Sequence, residues 1–224
     1  DTYLLFFIAN DDHLQPPHPK NQRIGLVYSK SLYGPWERAG DNGKILSPSN
    51  DPQNWTYDSG NGVVNPAFMY ISDNKFHLYF KALVVDEQTN KRQVTMGVAI
   101  AEQPIGPYHI SDKRITANNK TIEDGYAFQY GGKYYLLTTD NHGIFIRGGG
   151  ILWESDNGIE FGNPTVGYNL VDKYFDYDKG NVHHYYGPPE VKFERPQVLV
   201  VDGKPAYLYA PSGHNVFGGE ATVS

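Results

Sequence analysis

The stretch Arg23-Ile24-Gly25-Leu26-Val27-Tyr28-Ser29 returns later in the chain as Thr95-Met96-Gly97-Val98-Ala99-Ile100-Ala101. Each copy is followed at the same offset by a Gly-Pro-aromatic triplet, Gly34-Pro35-Trp36 and then Gly106-Pro107-Tyr108. A fixed offset of roughly 70 residues is the mark of a repeated structural unit. Each copy is a short apolar run with one glycine, which predicts a strand.

An aromatic strand precedes each copy and occurs four times in all, at 3–7, 76–80, 134–137 and 206–209. Before the last three lie a short apolar strand and a tight turn, at Ser72-Asp73-Asn74, Gly131-Gly132 and Asp202-Gly203. These turn residues tolerate positive φ and predict antiparallel hairpins.

The order of strand, tight turn, aromatic strand, glycine-containing third strand and outer strand is typical of a β-propeller blade. A composition rich in Gly, Pro and Tyr also indicates an all-β fold. A β-sandwich is the alternative, but it does not explain the recurring strand order. We predict a single propeller domain over 1–224, with the rest of blade I at 1–45, blade II at 57–113, blade III at 120–165 and blade IV at 190–224.

The repeat also predicts that the propeller is present as a fragment. The inner strand of blade I would fall before residue 1, and blade IV stops at the beginning of a third strand, 218–224. A closed propeller would therefore need further chain at one or both ends.

Composition excludes several classes of function. The formal net charge is −6 and no Lys/Arg cluster occurs, which argues against a nucleic-acid partner. The longest apolar run, 3–9, is too short to span a membrane. The absence of cysteine excludes thiolate chemistry, so the candidate catalytic groups are carboxylates, histidines, hydroxyls and amides.

Carboxylates stand where two of the inner strands begin, Asp124 in Glu123-Asp124-Gly125 and Glu194 in Glu194-Arg195-Pro196. The corresponding position of blade II holds Asn65, in Val64-Asn65-Pro66. Inner strands of a propeller begin at the rim of the central channel, so acids from different blades converge there, as cleavage of a glycosidic bond requires. The alternative is that Asp124 caps a turn and Glu194 pairs with Arg195 or another base.

Polar residues also follow the aromatic strands and are predicted to face the same mouth. Asp140 and His142 follow the third aromatic strand and His214 follows the fourth, although each could equally be a polar loop tip. A Gly/Pro-rich loop before Glu194 carries His183, His184 and Tyr186, and could either enter the mouth or be a surface excursion. Trp55, Tyr57 and Tyr186 are candidates for stacking on a sugar ring.

The sequence resembles the five-bladed β-propeller glycosidases in 64–68, 122–125, 153–158 and 194–199. Within that group it is most similar to the neoagarobiose hydrolases, the 3,6-anhydro-α-L-galactosidases of glycoside hydrolase family 117. The resemblance implies an exo-acting, inverting hydrolase that releases 3,6-anhydro-L-galactose from the non-reducing end of agar oligosaccharides. It further implies a general-base Asp in blade I, before residue 1, carboxylates at Asp124 and Glu194, and a histidine as general acid. His183 and His184, near Glu194 in sequence, are the catalytic candidates, while His214 and His142 reach the same mouth by the repeat and stay open as alternatives for the acid. Asn65, Asp140, His142, His214 and Tyr186 are the expected substrate-binding residues.

The sequence is compatible with three functions: this hydrolase, another exo-glycosidase such as an arabinosidase, or a carbohydrate-binding propeller without catalysis. The expected partner is an oligosaccharide, and no cofactor is certain, although a propeller channel could hold a divalent metal ion. The resemblance also implies a possible homodimer through an N-terminal helical segment that is not in this chain. Breakdown of polysaccharides favours a periplasmic or secreted enzyme, whereas action on disaccharides would also allow a cytoplasmic one.

Overall fold

A computed structural model describes residues 1–10, 22–57, 59–72, 74–86, 91–116, 121–176, 193–212 and 222–223. Apart from one 3-10 turn at Val171–Lys173, the regular elements in these ranges are β-strands. The all-β prediction is therefore confirmed. No helix among these residues has the length and hydropathy that a membrane-spanning segment requires. The chain divides into two compact units, Asp1–Asn119 and Lys120–Ser224.

The first unit contains two four-stranded antiparallel sheets. In the first sheet β2 is central and pairs with β1, β3 and β4, whereas the second has the order β5-β6-β7-β8. The strands of the first unit are β1 (Tyr3–Asn10), β2 (Gln22–Ser29), β3 (Glu37–Arg38), β4 (Lys44–Leu46), β5 (Val64–Tyr70), β6 (Phe76–Asp86), β7 (Lys91–Ala101) and β8 (His109–Ile110).

The second unit contains one four-stranded sheet, of order β9-β10-β11-β12, and two pairs, β13-β14 and β15-β16. All of these pairings are antiparallel. The strands of the second unit are β9 (Glu123–Tyr130), β10 (Lys133–Thr139), β11 (Gly150–Ser155), β12 (Gly162–Tyr168), β13 (Gln197–Val201), β14 (Lys204–Tyr209), β15 (Pro211–Ser212) and β16 (Thr222–Val223).

The three predicted hairpins are present, as β5-β6, β9-β10 and β13-β14. In the second and third, two-residue turns join strands that end at the pairs Tyr130↔Lys133 and Val201↔Lys204. Both central residues of each turn have positive φ, at Gly131-Gly132 and Asp202-Gly203. This is the geometry whose twist matches that of the flanking strands.

The repeated glycine of the third strand makes room for an aromatic ring. Gly25 pairs with Phe7 and Gly97 with Phe80, and a Cβ at Gly97 would lie 2.4 Å from the Trp55 ring. The third sheet differs, because Gly150 pairs with Thr139, which is one register position away from the residue that corresponds to Phe7 and Phe80. A Cβ at Gly150 would lie 2.0 Å from the Tyr168 ring, so this glycine accommodates an outer-strand side chain instead.

Each unit has its own apolar core between its sheets. In the first unit, Phe80 and Leu78 of β6 are fully buried, and Phe6 of β1 stacks on Phe68 of β5 with ring centroids 5.2 Å apart. In the second unit, the buried cluster is formed by Phe128, Leu137, Tyr168, Val171, Phe193, Val198 and Ala210. Strand ends that rest on such a core are held in fixed positions, and the site is built on them.

Candidate functional site

The three inner strands begin with the same β-bulge. In β5, the three residues from Val64 to Pro66 face two residues of β6, and in β9 the three residues from Glu123 to Gly125 face two of β10. The third inner strand has the same spacing. Glu194 N–H donates to Pro211 O at 3.2 Å and Gln197 pairs with Tyr209, so a step of three residues on one side matches a step of two on the other. A bulge bends the strand and redirects its side chains.

The second residue of each bulge is in the left-handed region, with φ of 53° at Asn65, 59° at Asp124 and 49° at Arg195. Asn and Asp are the non-glycine residues that adopt this conformation most readily, and Arg is not favoured there. The bulge therefore aligns Asp124 with Arg195, and it aligns Glu123, rather than Asp124, with Glu194. The two predicted carboxylates thus occupy adjacent positions of the bulge in successive strands, a distinction that the sequence pattern did not reveal.

Asp124 is buried, with only 6% of the residue exposed, and it faces Arg195. The Arg195 Nε lies 3.9 Å from Asp124 Oδ2. One interpretation of the sequence pairs Glu194 with Arg195, whereas this contact joins Arg195 to Asp124, which lies in the preceding inner strand. A guanidinium thus lies close to a carboxylate that is shielded from solvent.

Glu194 lies in a backbone segment that is hydrogen-bonded at each residue. Phe193 N–H donates to Gly148 O at 3.3 Å, and Arg195 N–H donates to Thr139 Oγ1 at 3.1 Å. Glu194 N–H itself donates to Pro211 O. The backbone that carries the half-buried Glu194 side chain is therefore held in position by hydrogen bonds to both neighbouring hairpins.

Tyr168 stabilises this segment from the outer strand β12. Its hydroxyl donates to Phe193 O at 3.2 Å, and the ring occupies the space above Gly150. Burial raises the pKa of Tyr168 above its ordinary value, and the negative charges of Asp124, Glu194 and Asp140 add to that rise. The phenol therefore stays protonated beside the carboxylates and remains a hydrogen-bond donor.

Asp140 closes the loop that follows β10. Its carboxylate accepts hydrogen bonds from the backbone N–H groups of Ile144, Phe145 and Ile146 at 2.8 to 2.9 Å. Its backbone N–H donates to Gly149 O, and its carbonyl accepts from Gly148 N–H. These contacts give Asp140, which is 1% exposed, a structural role. Its role in substrate binding stays a prediction.

Glu123 organises the residues that follow Asp140. Asn141 Nδ2 donates to Glu123 Oε1 at 2.8 Å, and His142 Nε2 lies 3.9 Å from the same oxygen. The His142 side chain is about half exposed, at 52%. The structure thus places His142 beside a carboxylate that the sequence reading had not selected.

Asn65 is in the first unit, at the bulge of β5. His183, His184, Tyr186 and His214 lie outside the described residues, so their predicted roles stay predictions. Trp55, a candidate for sugar stacking, stacks instead on Phe80, with ring centroids 5.7 Å apart. Its ring fills the space above Gly97, and its indole N–H donates to Ser111 O at 2.9 Å.

Within the described ranges, no group of three or more His, Cys, Asp or Glu side chains is arranged to hold a metal ion. The four residues that sequence reasoning missed are Glu123, Asn141, Thr139 and Tyr168. Glu123 could have been found from its position directly before the bulge residue, as for Glu194. Tyr168 left no comparable signal, because its contacts depend on the packing of β12 over Gly150.

Comparison with known proteins identifies structural relatives. No protein-family model matches the sequence, and no curated protein matches it. A family 117 glycoside hydrolase of the marine bacterium Zobellia galactanivorans is 21% identical over 74% of this chain, with a TM-score of 0.54. An endo-arabinase from Bacteroides thetaiotaomicron is 15% identical over 99% of the chain, with a TM-score of 0.61. A GH43_1 enzyme from Xanthomonas citri is 15% identical over the whole chain, with a TM-score of 0.59.

The chain spans 43% of the length of the Zobellia enzyme, 69% of the Bacteroides enzyme and 70% of the Xanthomonas enzyme. These structural neighbours are glycoside hydrolases with propeller folds, and identities this low show the fold alone. The four-stranded antiparallel sheets of this chain are accordingly blades of the β-propeller fold that these hydrolases share.

Proposed function

We propose that this chain carries part of the active site of a glycoside hydrolase, with Asp124 and Glu194 among the catalytic groups. The observation that carries the proposal is the bulge at the start of each inner strand. It places Asp124 beside Arg195 at 3.9 Å and fixes the backbone of Glu194 from both sides. Carboxylates held on a rigid scaffold are what glycosidic cleavage uses.

The finer proposal is release of 3,6-anhydro-L-galactose from the non-reducing end of agar oligosaccharides such as neoagarobiose, with inversion. It is supported by the resemblance of the motifs around Asp124 and Glu194 to those of the propeller glycosidases, most of all the neoagarobiose hydrolases, and by the likeness to the Zobellia galactanivorans enzyme. The substrate is thus an oligosaccharide, and a periplasmic or secreted location is part of the proposal.

In an inverting reaction, one group activates water on one face of the sugar while an acid protonates the leaving oxygen on the other. We assign the acid to a histidine, His183 or His184, and the base to a blade I Asp outside this sequence. One of Asp124 and Glu194 stabilises the imidazolium, since an opposite charge within about 4–6 Å favours the charged form. The other binds sugar hydroxyls.

An arabinosidase-like exo-glycosidase is the second candidate. It is favoured by the likeness to the Bacteroides thetaiotaomicron endo-arabinase and to a compost-metagenome β-xylosidase/α-arabinofuranosidase, which is 16% identical with a TM-score of 0.55. A non-catalytic carbohydrate-binding propeller would have the same mouth without turnover. A panel of terminal sugars separates these candidates.

The test is incubation of the full-length protein with neoagarobiose and detection of free 3,6-anhydro-L-galactose. Glu194→Gln and Asp124→Asn should each lower kcat by about a hundredfold or more, because general acid–base groups contribute on that scale. Glu160→Gln is the matched control, since Glu160 is exposed and lies in the loop after β11. Release that survives both substitutions would refute the site, and binding without release would favour the carbohydrate-binding module.

A further inference from the structure

We propose that the loop 140–149 of the second unit is a sugar-binding subsite. In this subsite Asn141 and His142, oriented by Glu123, bind ring hydroxyls, and Phe145 stacks on the face of the ring. The inference rests on the proposed function, because it names where one sugar unit of the oligosaccharide is held.

The loop has the rigidity that a binding site needs. Three backbone N–H groups in it donate to the carboxylate of Asp140, and Gly148 and Gly149 hydrogen-bond to the Asp140 backbone. A loop fixed in this way loses little conformational entropy when a ligand binds. The side chains it carries are therefore presented in one arrangement.

Glu123 holds one polar residue of the loop by a hydrogen bond and lies beside the other. Its carboxylate accepts from Asn141 Nδ2 at 2.8 Å and lies 3.9 Å from His142 Nε2, and its own side chain is mostly buried. His142 is half exposed, so its ring is accessible to a ligand. A carboxylate, an amide and an imidazole together supply both donors and acceptors, as hydroxyl groups require.

Phe145 supplies the apolar surface. Its backbone N–H is held by Asp140 at 2.8 Å, yet its side chain is 45% exposed. The loop thus carries an exposed aromatic ring together with the polar side chains of Asn141 and His142, and small-molecule sites combine apolar side chains with a few polar groups. The C–H face of a sugar ring packs on such a surface while its hydroxyls turn towards polar neighbours.

The register of β9 places this subsite at the catalytic end of its sheet. Glu123 pairs with Thr139, the last residue of β10, and directly precedes Asp124. The loop begins at the next residue, Asp140. Asn141 and His142 therefore emerge at the end of the sheet where Asp124 lies, and Tyr130 marks the opposite end of β9.

The experiment measures KM, kcat and, by calorimetry, Kd for neoagarobiose and a panel of terminal-sugar oligosaccharides, using the full-length protein. Glu123→Gln and Phe145→Ala are compared with the control variants Glu160→Gln and Tyr130→Ala, which remove a charge and an aromatic ring at exposed positions away from the loop. We expect KM and Kd to rise about tenfold in each loop variant, with kcat changed less than twofold. In Glu123→Gln this is the size expected for one hydrogen bond to a charged group, and in Phe145→Ala it is the size expected for one aromatic stacking contact. Phe145→Tyr should restore affinity because it keeps the ring.

The outcomes separate the subsite from the catalytic proposal. Hydrolysis by the wild type with unchanged KM in both loop variants would overturn the subsite and leave the proposed function standing. Binding without hydrolysis, weakened in the loop variants and not in the controls, would support the subsite and overturn the catalytic assignment. Loss of kcat rather than affinity, or no binding of any sugar by the wild type, would overturn the subsite as well.

Discussion

At the scale of single residues, several polar groups of the second unit make hydrogen bonds that fix the positions of the proposed functional groups. The carboxylate of Asp140 accepts three backbone hydrogen bonds and so fixes the loop that carries His142. Tyr168 donates to the carbonyl that precedes Glu194. Positioning of this kind lets half-exposed groups act from a defined geometry.

Replacement of Asp140 by Asn should destabilise the protein by about 1–3 kcal/mol, because an amide puts a donor where buried N–H groups need an acceptor. The free energy of unfolding from urea titration measures the change. Asp156→Asn is the control, since Asp156 is largely exposed, and should change stability by no more than about 0.5 kcal/mol. Equal effects of the two substitutions would contradict the role given to Asp140.

Tyr168→Phe should reduce the loss of stability at alkaline pH. Burial raises the pKa of Tyr168 in the folded state, so above a pH of about 10 the unfolded chain loses this proton first and unfolding becomes easier. Removing the hydroxyl removes that contribution, and the free energy of unfolding should then fall less steeply above pH 10. Tyr108→Phe should act alike, because burial also raises the pKa of Tyr108, and an unchanged slope in both variants would refute the argument.

At the scale of elements, the third strands depend on glycines over which aromatic rings lie. In β7, Gly97 leaves room for Trp55 and Phe80, which stack on each other. In β2, Gly25 does the same for Phe7. A side chain at either glycine would displace a ring that packs against the strand.

Gly97→Ala should therefore destabilise the protein by about 1–3 kcal/mol through overpacking. Gly162→Ala is a matched control in β12, because no atom lies within 4 Å of its added Cβ, and it should be neutral or slightly stabilising. Thermal unfolding followed by circular dichroism compares the two. A stable Gly97→Ala variant would mean that the Trp55 ring can move aside without cost.

At the scale of the whole molecule, two parts of the described chain expose apolar strand residues. In the first unit, β1 pairs with β2 alone among the described strands, and Leu5 is 53% exposed. In the second, the pair β13-β14 exposes Leu199, Val200, Val201, Tyr207, Leu208 and Tyr209. Open edges and exposed apolar faces of this kind favour association between chains.

The 224-residue chain should therefore self-associate with rising concentration, and Leu5→Lys should weaken that association because a charge on an edge strand opposes pairing. Leu32→Lys is the control, since Leu32 is equally apolar and exposed but lies in a turn. Sedimentation at several concentrations measures the effect. A chain that stays monomeric, or one whose association falls equally in both variants, would contradict this account.

The sequence by itself was sufficient to predict the all-β fold, the hairpins and the propeller, because turn residues, strand alternation and the repeated glycine are local signals. It also predicted that Asp124 and Glu194 stand where inner strands begin. It did not reveal that a bulge puts them at different register positions, nor that Arg195 faces Asp124 rather than a neighbour in sequence.

Those facts depend on tertiary structure, because they involve groups far apart in the chain. The bulge becomes visible only when β9 is paired with β10, and the contacts of Tyr168 only when β12 packs over Gly150. Trp55 was expected in a sugar site and lies instead against Phe80, since a ring's surroundings are set by the strands that close over it. Local chemistry determined the strands and turns, and long-range packing decided which side chains meet at their ends.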